Sequence, residues 1–297
     1  MIKKKYIDLL RVKPGKKIRL KDYDTGWELT EDLKELGKDE VKERARVNLE
    51  ENLADLNEIQ QILYADNTHS LLIIFQAMDA AGKDGTIRHV MSGVNPQGCQ
   101  VFSFKKPSDE ELDHNFLWRY MKCLPERGRI GIFNRSYYED VLVVKVHPEL
   151  LQNLPDGEKC KEFWKDRYED INAFERHLER NGTVILKFFL NVSKKEQKNR
   201  FMDRLDRPEK NWKFSAADIA ERQHWDDYMD VYEDAINATS TEWAPWHIIP
   251  ADHKWATRAL VADIITSKLR GLDLKFPEVG EAHLKTLAEA RKMLEDE

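Results

Sequence analysis

Several things are scarce in this chain of 297 residues. Cysteine occurs 3 times, at Cys99, Cys123 and Cys160, too few and too far apart for a disulfide framework or a paired-thiolate zinc site. Buried free thiols are expected instead. Long apolar runs are missing: no stretch of about 18 apolar residues could cross a bilayer. The early Lys3-Lys4-Lys5 leads into Tyr6-Ile7-Asp8-Leu9-Leu10, without the apolar segment and cleavage site of a secretory leader. The chain is therefore read as cytoplasmic, with no membrane partner. A positive excess is missing too. Lys and Arg number 48 against 54 Asp and Glu, a net charge of −6, which argues against a nucleic-acid partner and confines any polyanion to a local basic patch. No internal repeat and no low-complexity linker is present. What remains is a globular composition, 41% hydrophobic and 34% charged with 8 Trp, 9 Tyr and 12 Phe, which excludes a disordered or collagen-like chain. The length suits two ordinary domains, or one large α/β domain with added helices.

Residues 1–40 carry turn signals at Pro14-Gly15 and Thr25-Gly26 and little periodicity, and read as an irregular N-terminal extension. From Val41 to Tyr64 the apolar Val47, Leu53, Leu56, Ile59 and Leu63 recur near helical spacing. Within Ser70 to Met78, the short continuous run Leu71-Leu72-Ile73-Ile74-Phe75 has the character of a central parallel strand covered on both faces. Four more strands are expected, over residues 99–104, 129–133, 183–192 and 246–250. Helices are expected over residues 108–123, 160–180, 218–238 and 255–269, and directly after Ser193. Ser108 with Glu111 and Ser193 with Glu196 form capping boxes that open two of them. Asn181-Gly182 and Gly271 close two others. Strands alternating with helices imply one parallel sheet with helices on both faces and ligands beyond the strand carboxyl ends. The expected division is an extension at 1–40, a main domain at 41–275 and a helical tail at 276–297.

The first strand runs into Gln76-Ala77-Met78-Asp79-Ala80-Ala81-Gly82-Lys83-Asp84-Gly85-Thr86. Small residues between a strand and a helix let backbone N–H groups turn inward as an anion nest. The helix N-terminus adds positive potential, and Lys83 can bridge phosphate oxygens. Ala80, Ala81, Gly82, Lys83, Asp84, Gly85 and Thr86 are therefore candidate phosphate ligands. Two departures from the usual phosphate loop stand out: Ala77 replaces the first glycine, and Asp84 replaces the Ser or Thr that would hold magnesium. Asp79 can compensate, because a carboxylate beside phosphates is a natural ligand for a hard cation. A tight turn with no ligand is the plain alternative.

The third strand ends in Asn134-Arg135-Ser136-Tyr137-Tyr138-Glu139-Asp140, on the same sheet edge as the first. Arg135 offers a fork suited to phosphate oxygens. Asn134 carries no charge, which leaves Glu139 and Asp140 as the available acids. Both also fit a first helical turn, where an acid stabilises the helix dipole by about 0.3–1 kcal/mol, and the residues alone leave the two readings open. Between Lys187 and Phe214, nine Lys and Arg face four Asp and Glu. Arg200 and Arg204 share a helix face, and Arg207, Lys210 and Lys213 follow around Pro208 and Trp212. A basic, mobile lid over about 200–216 would suit phosphoryl transfer, whose catalysis is mostly positioning and charge neutralisation. A solvated helix is its alternative.

Together, the motifs at 76–86, 134–140, Lys187-Phe188-Phe189-Leu190 and Arg207-Pro208-Glu209-Lys210-Asn211-Trp212-Lys213-Phe214 closely resemble the polyphosphate kinase 2 family, over about Asp55 to Gly271. The resemblance implies an α/β, P-loop kinase-like fold similar to thymidylate kinases: a parallel five-stranded sheet flanked by helices, with a helical lid. It implies magnesium-dependent transfer of phosphoryl groups between inorganic polyphosphate and nucleotides, by a homodimer or homotetramer. Other subclasses usually have Asp in place of Asn134 and Gly in place of Asp84. The combination here resembles the third subclass, which phosphorylates both nucleoside mono- and diphosphates. On that basis Asp79, Lys83, Arg135 and Asp140 are expected to be catalytic, with Asp79 and Asp140 on the metal. Asn134, Glu139 and Asp140 are expected to receive the nucleotide, and Arg135, Arg200, Arg204, Arg207, Lys210 and Lys213 the polyphosphate. AMP and ADP are the expected acceptors, with guanine nucleotides left open. Two rivals remain: an ATP-dependent nucleotide kinase, and a polyanion-binding scaffold, which would explain the basic stretch but not Asp79 beside Lys83.

Overall fold

The structure is a computed structural model that describes residues 4–151 and 162–297. The chain opens with α1 (Lys4–Leu10) and α2 (Glu31–Leu36), then the long α3 (Lys38–Asp66), which ends at Asn67 in the left-handed conformation. The fully buried β1 (Ser70–Gln76) leads to α4 (Lys83–Val90) and then to β2 (Cys99–Ser103). Next come α5 (Asp109–Leu112), α6 (Trp118–Met121), β3 (Ile130–Asn134) and α7 (Glu139–Val146). They are followed by α8 (Phe163–Arg180), β4 (Thr183–Asn191), α9 (Lys194–Asp206), a 3-10 stretch at Pro208–Lys213 and α10 (Ala216–Glu221). The chain closes with α11 (Trp225–Thr239), β5 (Trp246–Pro250), α12 (Lys254–Arg270) and the exposed α13 (Glu281–Glu295). No described helix is long and apolar enough to cross a membrane.

All five strands are parallel, in the order β2-β3-β1-β4-β5. Phe75 of β1 stands opposite Asn134 of β3 on one side and Phe188 of β4 on the other, so β1 and β3 end within one residue of each other while β4 runs on to Asn191. One helical layer packs α12 on α3 and α4; the other packs α11 on α7 and α8. Strands β1, β3 and β5 are buried along their whole length because both faces are covered, whereas the edge strand β2 leaves Val101 half exposed.

Two expected helices differ. The helix expected at 108–123 is two short helices, since the Asn115 side chain accepts the Leu117 N–H at 3.1 Å and turns the chain between them. The helix expected at 218–238 is split into α10 and α11 by a 3-10 turn at Arg222–His224. The start expected at Cys160 for α8 lies outside the described residues. The N-terminal forty residues are docked rather than irregular throughout. Val12 N–H donates to Trp246 O at 2.9 Å and Arg11 bridges His247, which covers the free edge of β5. Ile18 and Asn237 exchange two hydrogen bonds, Leu20 N–H donates to Glu233, and Leu10, Val12, Ile18 and Leu20 join the core. Weak periodicity hid this because the segment is anchored by scattered single residues, not by one helical face.

Candidate active site

From β1 the chain crosses to β2 on one side of the sheet, and from β3 it crosses to β4 on the other, so the loops after β1 and β3 part and leave a crevice. A cavity of about 710 Å³ occupies it. Of the expected residues, Asp79, Ala80, Ala81, Gly82, Lys83, Asp84, Gly85, Asn134, Arg135, Arg200, Arg204, Lys210 and Lys213 line this cavity, and Thr86, Glu139, Asp140 and Arg207 do not.

The first loop is tightly wound. Ala80 takes φ 59° and Gly82 φ 105°, and the latter is a backbone conformation that side chains rarely adopt, which is why glycine stands there. Lys83 opens α4 and donates from Nζ to Ala77 O at 2.8 Å. Burial and the Arg135 charge hold this lysine below its ordinary value, against the opposing pull of Asp79, Glu139 and Asp84.

The second loop turns at Arg135, a non-glycine residue with φ 65°. Such a conformation costs about 1–2 kcal/mol and persists only where the surroundings over-determine it. Arg135 Nη2 pairs with Asp79 Oδ1 at 2.9 Å, which ties the two loops together. Asn134 Nδ2 donates to Asp84 Oδ1 at 2.6 Å. The two positions that depart from the other subclasses are thus hydrogen-bonded to each other. An aspartate at 134 would set a second carboxylate against Asp84, so asparagine suits this partner.

Glu139 stands behind Arg135, at 3.8 Å from Nη1, and accepts from Gln76 Nε2 at 3.0 Å. Asp140 is not among the residues that line the cavity with Asp79. One residue further along α7 its side chain is turned by about 100°, toward Tyr120, whose hydroxyl is 3.5 Å from Oδ2. Burial pushes its carboxyl up to about 7, with Arg167 and Arg119 lowering it and Glu139 raising it.

On the basic side, Arg200 lines the cavity and is hydrogen-bonded within the protein. Nη1 donates to Ala80 O and Ala81 O at 3.0 and 2.6 Å, Nη2 to Ala251 O and Asp252 O at 2.5 and 3.2 Å, and Nε to Glu196 at 2.8 Å. Its donors are engaged with the protein, so it fastens the first loop to α9 and to the turn after β5. Arg207 lies outside the cavity, paired with Glu209 at 2.5 Å. Arg204 faces Asp218 at 3.3 Å, and Lys210 is paired with Asp203. Lys213 stands beside the 78% exposed Trp212. Lys187, which began the basic stretch in the sequence, is fully buried and adds nothing to this surface.

Sequence reasoning missed Lys105, Lys106, Lys254 and Asp218 on the wall. The first three follow the carboxyl ends of β2 and β5, where ligands of such sheets gather; that rule could have found them. Asp218 had no signal. Burial and the Asp79 charge hold its carboxyl above the ordinary value, while Arg204, Arg135 and Lys83 oppose the shift. Asp79 on this wall offers carboxylate oxygen, which fits magnesium, an ion that takes one or two carboxylates plus substrate phosphates. No group of three or more His, Cys, Asp or Glu among the described residues forms a dedicated metal cage.

Sheet order, wound loop and cavity define an α/β protein of the P-loop kinase-like class. The model of the family described as Polyphosphate kinase 2 (PPK2) matches residues 38–277, and this chain belongs to that family. It is 56% identical over 258 residues to an ADP-polyphosphate phosphotransferase of Rhodopseudomonas palustris, covering 86% of this chain and 89% of the relative. It is 47% identical over 234 residues to an AMP/ADP-polyphosphate phosphotransferase of Meiothermus ruber, covering 79% and 84%. The crystal structure of polyphosphate kinase 2 from Arthrobacter aurescens TC1 superposes with a TM-score of 0.83 at 40% identity, over 95% of this chain and 96% of that one.

Proposed function

We propose that this chain transfers the terminal phosphoryl group of inorganic polyphosphate to AMP and to ADP, reversibly, with residues 41–275 as the catalytic unit and the stretch around 200–216 as its lid. The observation that carries the proposal is the ion-paired Asp79 and Arg135 beside Lys83, at the foot of a cavity walled by Arg204, Lys213 and Lys254. The acceptor is already an anion, so no strong general base is needed; the obstacle is repulsion between two polyanions. Backbone N–H groups of the first loop and the Lys83 ammonium neutralise the transferring group, Arg135 holds it from the second loop, and the basic wall takes the donor chain. Asp79 would hold magnesium, which would supply positive charge against that of the phosphates. Glu139, behind Arg135, supports the end of the site that receives the acceptor.

The names of the two relatives agree on ADP and differ on AMP, which sets the experiment. Protein, magnesium, long-chain polyphosphate and AMP are incubated without coupling enzymes, and ADP and ATP are separated by chromatography over time. ADP followed by ATP is expected. ATP from ADP alone would remove AMP from the substrates, and no product from either would return the ordinary kinase and the scaffold. The same run with GMP and GDP tests guanine acceptors. Glu139→Ala is expected to impair AMP more than ADP, and equal losses would remove its acceptor role. The reading also has the protein cytoplasmic and homo-oligomeric, the latter checked by light scattering.

A further inference from the structure

Beneath the second loop lies a charged group with no part in the chemistry above. Lys187 of β4 and Glu175 of α8 are both fully buried, with Nζ 2.6 Å from Oε2. Lys187 also donates to Tyr138 Oη at 2.9 Å and to Thr239 O at 2.7 Å, which uses its three donors. The other carboxylate oxygen, Oε1, accepts from the hydroxyls of Tyr137 at 2.8 Å and Tyr138 at 2.9 Å. Trp246 Nε1 donates to Thr239 Oγ1, and its ring packs edge-on against Tyr138. The cluster therefore joins α8, β4, α11, β5 and the two tyrosines that directly follow Arg135 and Ser136.

Stability does not account for it. Replacing a buried ion pair with apolar residues of similar volume is often neutral or stabilising. The position of the cluster supplies a reason: Tyr137 and Tyr138 are the only residues between the turn of Arg135 and Ser136 and the first residue of α7, Glu139. The left-handed Arg135 and the orientation of Glu139 both depend on where these two rings are held. We propose that Glu175 and Lys187 are positioning residues, which fix Tyr137 and Tyr138 and thereby aim Arg135 and Glu139 at the reacting groups. A misplacement of about 1 Å can cost 100-fold in rate, so the effect belongs on turnover and not on binding of the polyphosphate chain.

The kinetic arm of the test rests on the polyphosphate-to-nucleotide reading; a second arm does not. Tyr138→Phe and the paired Glu175→Leu/Lys187→Met variant are compared with Val261→Ala, a core truncation in the opposite helical layer. Expected is a fall in kcat of about 10- to 100-fold with KM for polyphosphate unchanged in the first two, and unchanged kcat in the third. Wild-type kcat in the folded paired variant would overturn the proposal, as would losses that only track the folded fraction as Val261→Ala does. If the paired variant does not fold, Tyr138→Phe carries the test. Amide hydrogen exchange gives the second arm: faster exchange at residues 135–139 with α12 unaltered is expected in Tyr138→Phe and the paired variant, and unaltered exchange at the loop overturns the proposal even if the wild type proves inactive with both acceptors.

Discussion

The loops after β1 and β3 meet across one ion pair, yet they are held in opposite ways. The first loop is clasped from above: Arg200 and Gln197 of α9 reach down to Ala80 O, Ala81 O and Asp79 O, and α9 leads straight into the exposed stretch with Trp212. The second is gripped from below by fully buried tyrosine hydroxyls. Each contains one non-glycine residue in the left-handed region, Ala80 and Arg135, so each needs an outside restraint. The loop that carries Lys83 is fastened to α9 and through it to the exposed stretch with Trp212, and the loop that carries Arg135 to a fully buried polar cluster.

Four measurements break or sharpen this contrast. The largest effect is expected from Lys83→Ala, which should lower kcat by about 100- to 1000-fold with an unchanged thermal midpoint; near-normal turnover would remove the first loop from the chemistry. Next is Asp140→Asn. The folded carboxyl is pushed up to about 7 from 3.8, so wild-type stability is lost as pH rises from about 4 through 7, while the variant has no such loss. At about 1.4 kcal/mol per pH unit, the variant should gain at most about 4 kcal/mol over wild type at pH 8 and nothing at pH 3, read from urea unfolding. A pH-independent difference would show that this carboxyl is ordinary.

Third is Arg200→Lys, since a lysine cannot reproduce the guanidinium fork. A loss of about 2–3 kcal/mol and faster amide exchange at residues 79–83, with residues 135–139 unaltered, would sharpen the contrast. Equal loosening of both loops would erase it. The smallest effect concerns His147, whose ring meets Glu221 of α10 at 2.9 Å. That hydrogen bond raises the imidazole above its ordinary value against the effect of burial. The stabilisation is present below the ordinary histidine value and lost as pH rises through the folded one. His147→Gln should cost under about 1 kcal/mol at pH 6 and nothing at pH 9.

All five strands were legible because each is a short apolar run between turn signals, and the first loop was legible because its whole chemistry is contiguous, from Asp79 to Thr86. The sheet order was not read, since nothing in a single strand states its neighbours. Arg200 shows the limit for charged residues: the sequence displays a cation on a basic helix, but its acceptors are carbonyls 51 to 120 positions away. Lys187 counted toward a basic patch for the same reason, with its counter-charge 12 residues upstream on another element. Glu139 and Asp140 could be separated only by helix phase, which needs the true start of α7. Asp84 and Asn134 looked like two independent departures until the hydrogen bond between them made them one.

The stitched N-terminal segment has a consequence for handling the protein. With the β5 edge met by Arg11 and Val12, β2 is, among the described residues, the one strand edge that no other segment bridges. Cleavage near Lys13 would bare a second edge and uncover the seats of Leu10 and Val12. Such a nick converts a molecule with one open strand edge into one with two, and two edges allow chains to add end to end without limit. A preparation trimmed by protease would then be lost to aggregation even with every residue of the cavity intact.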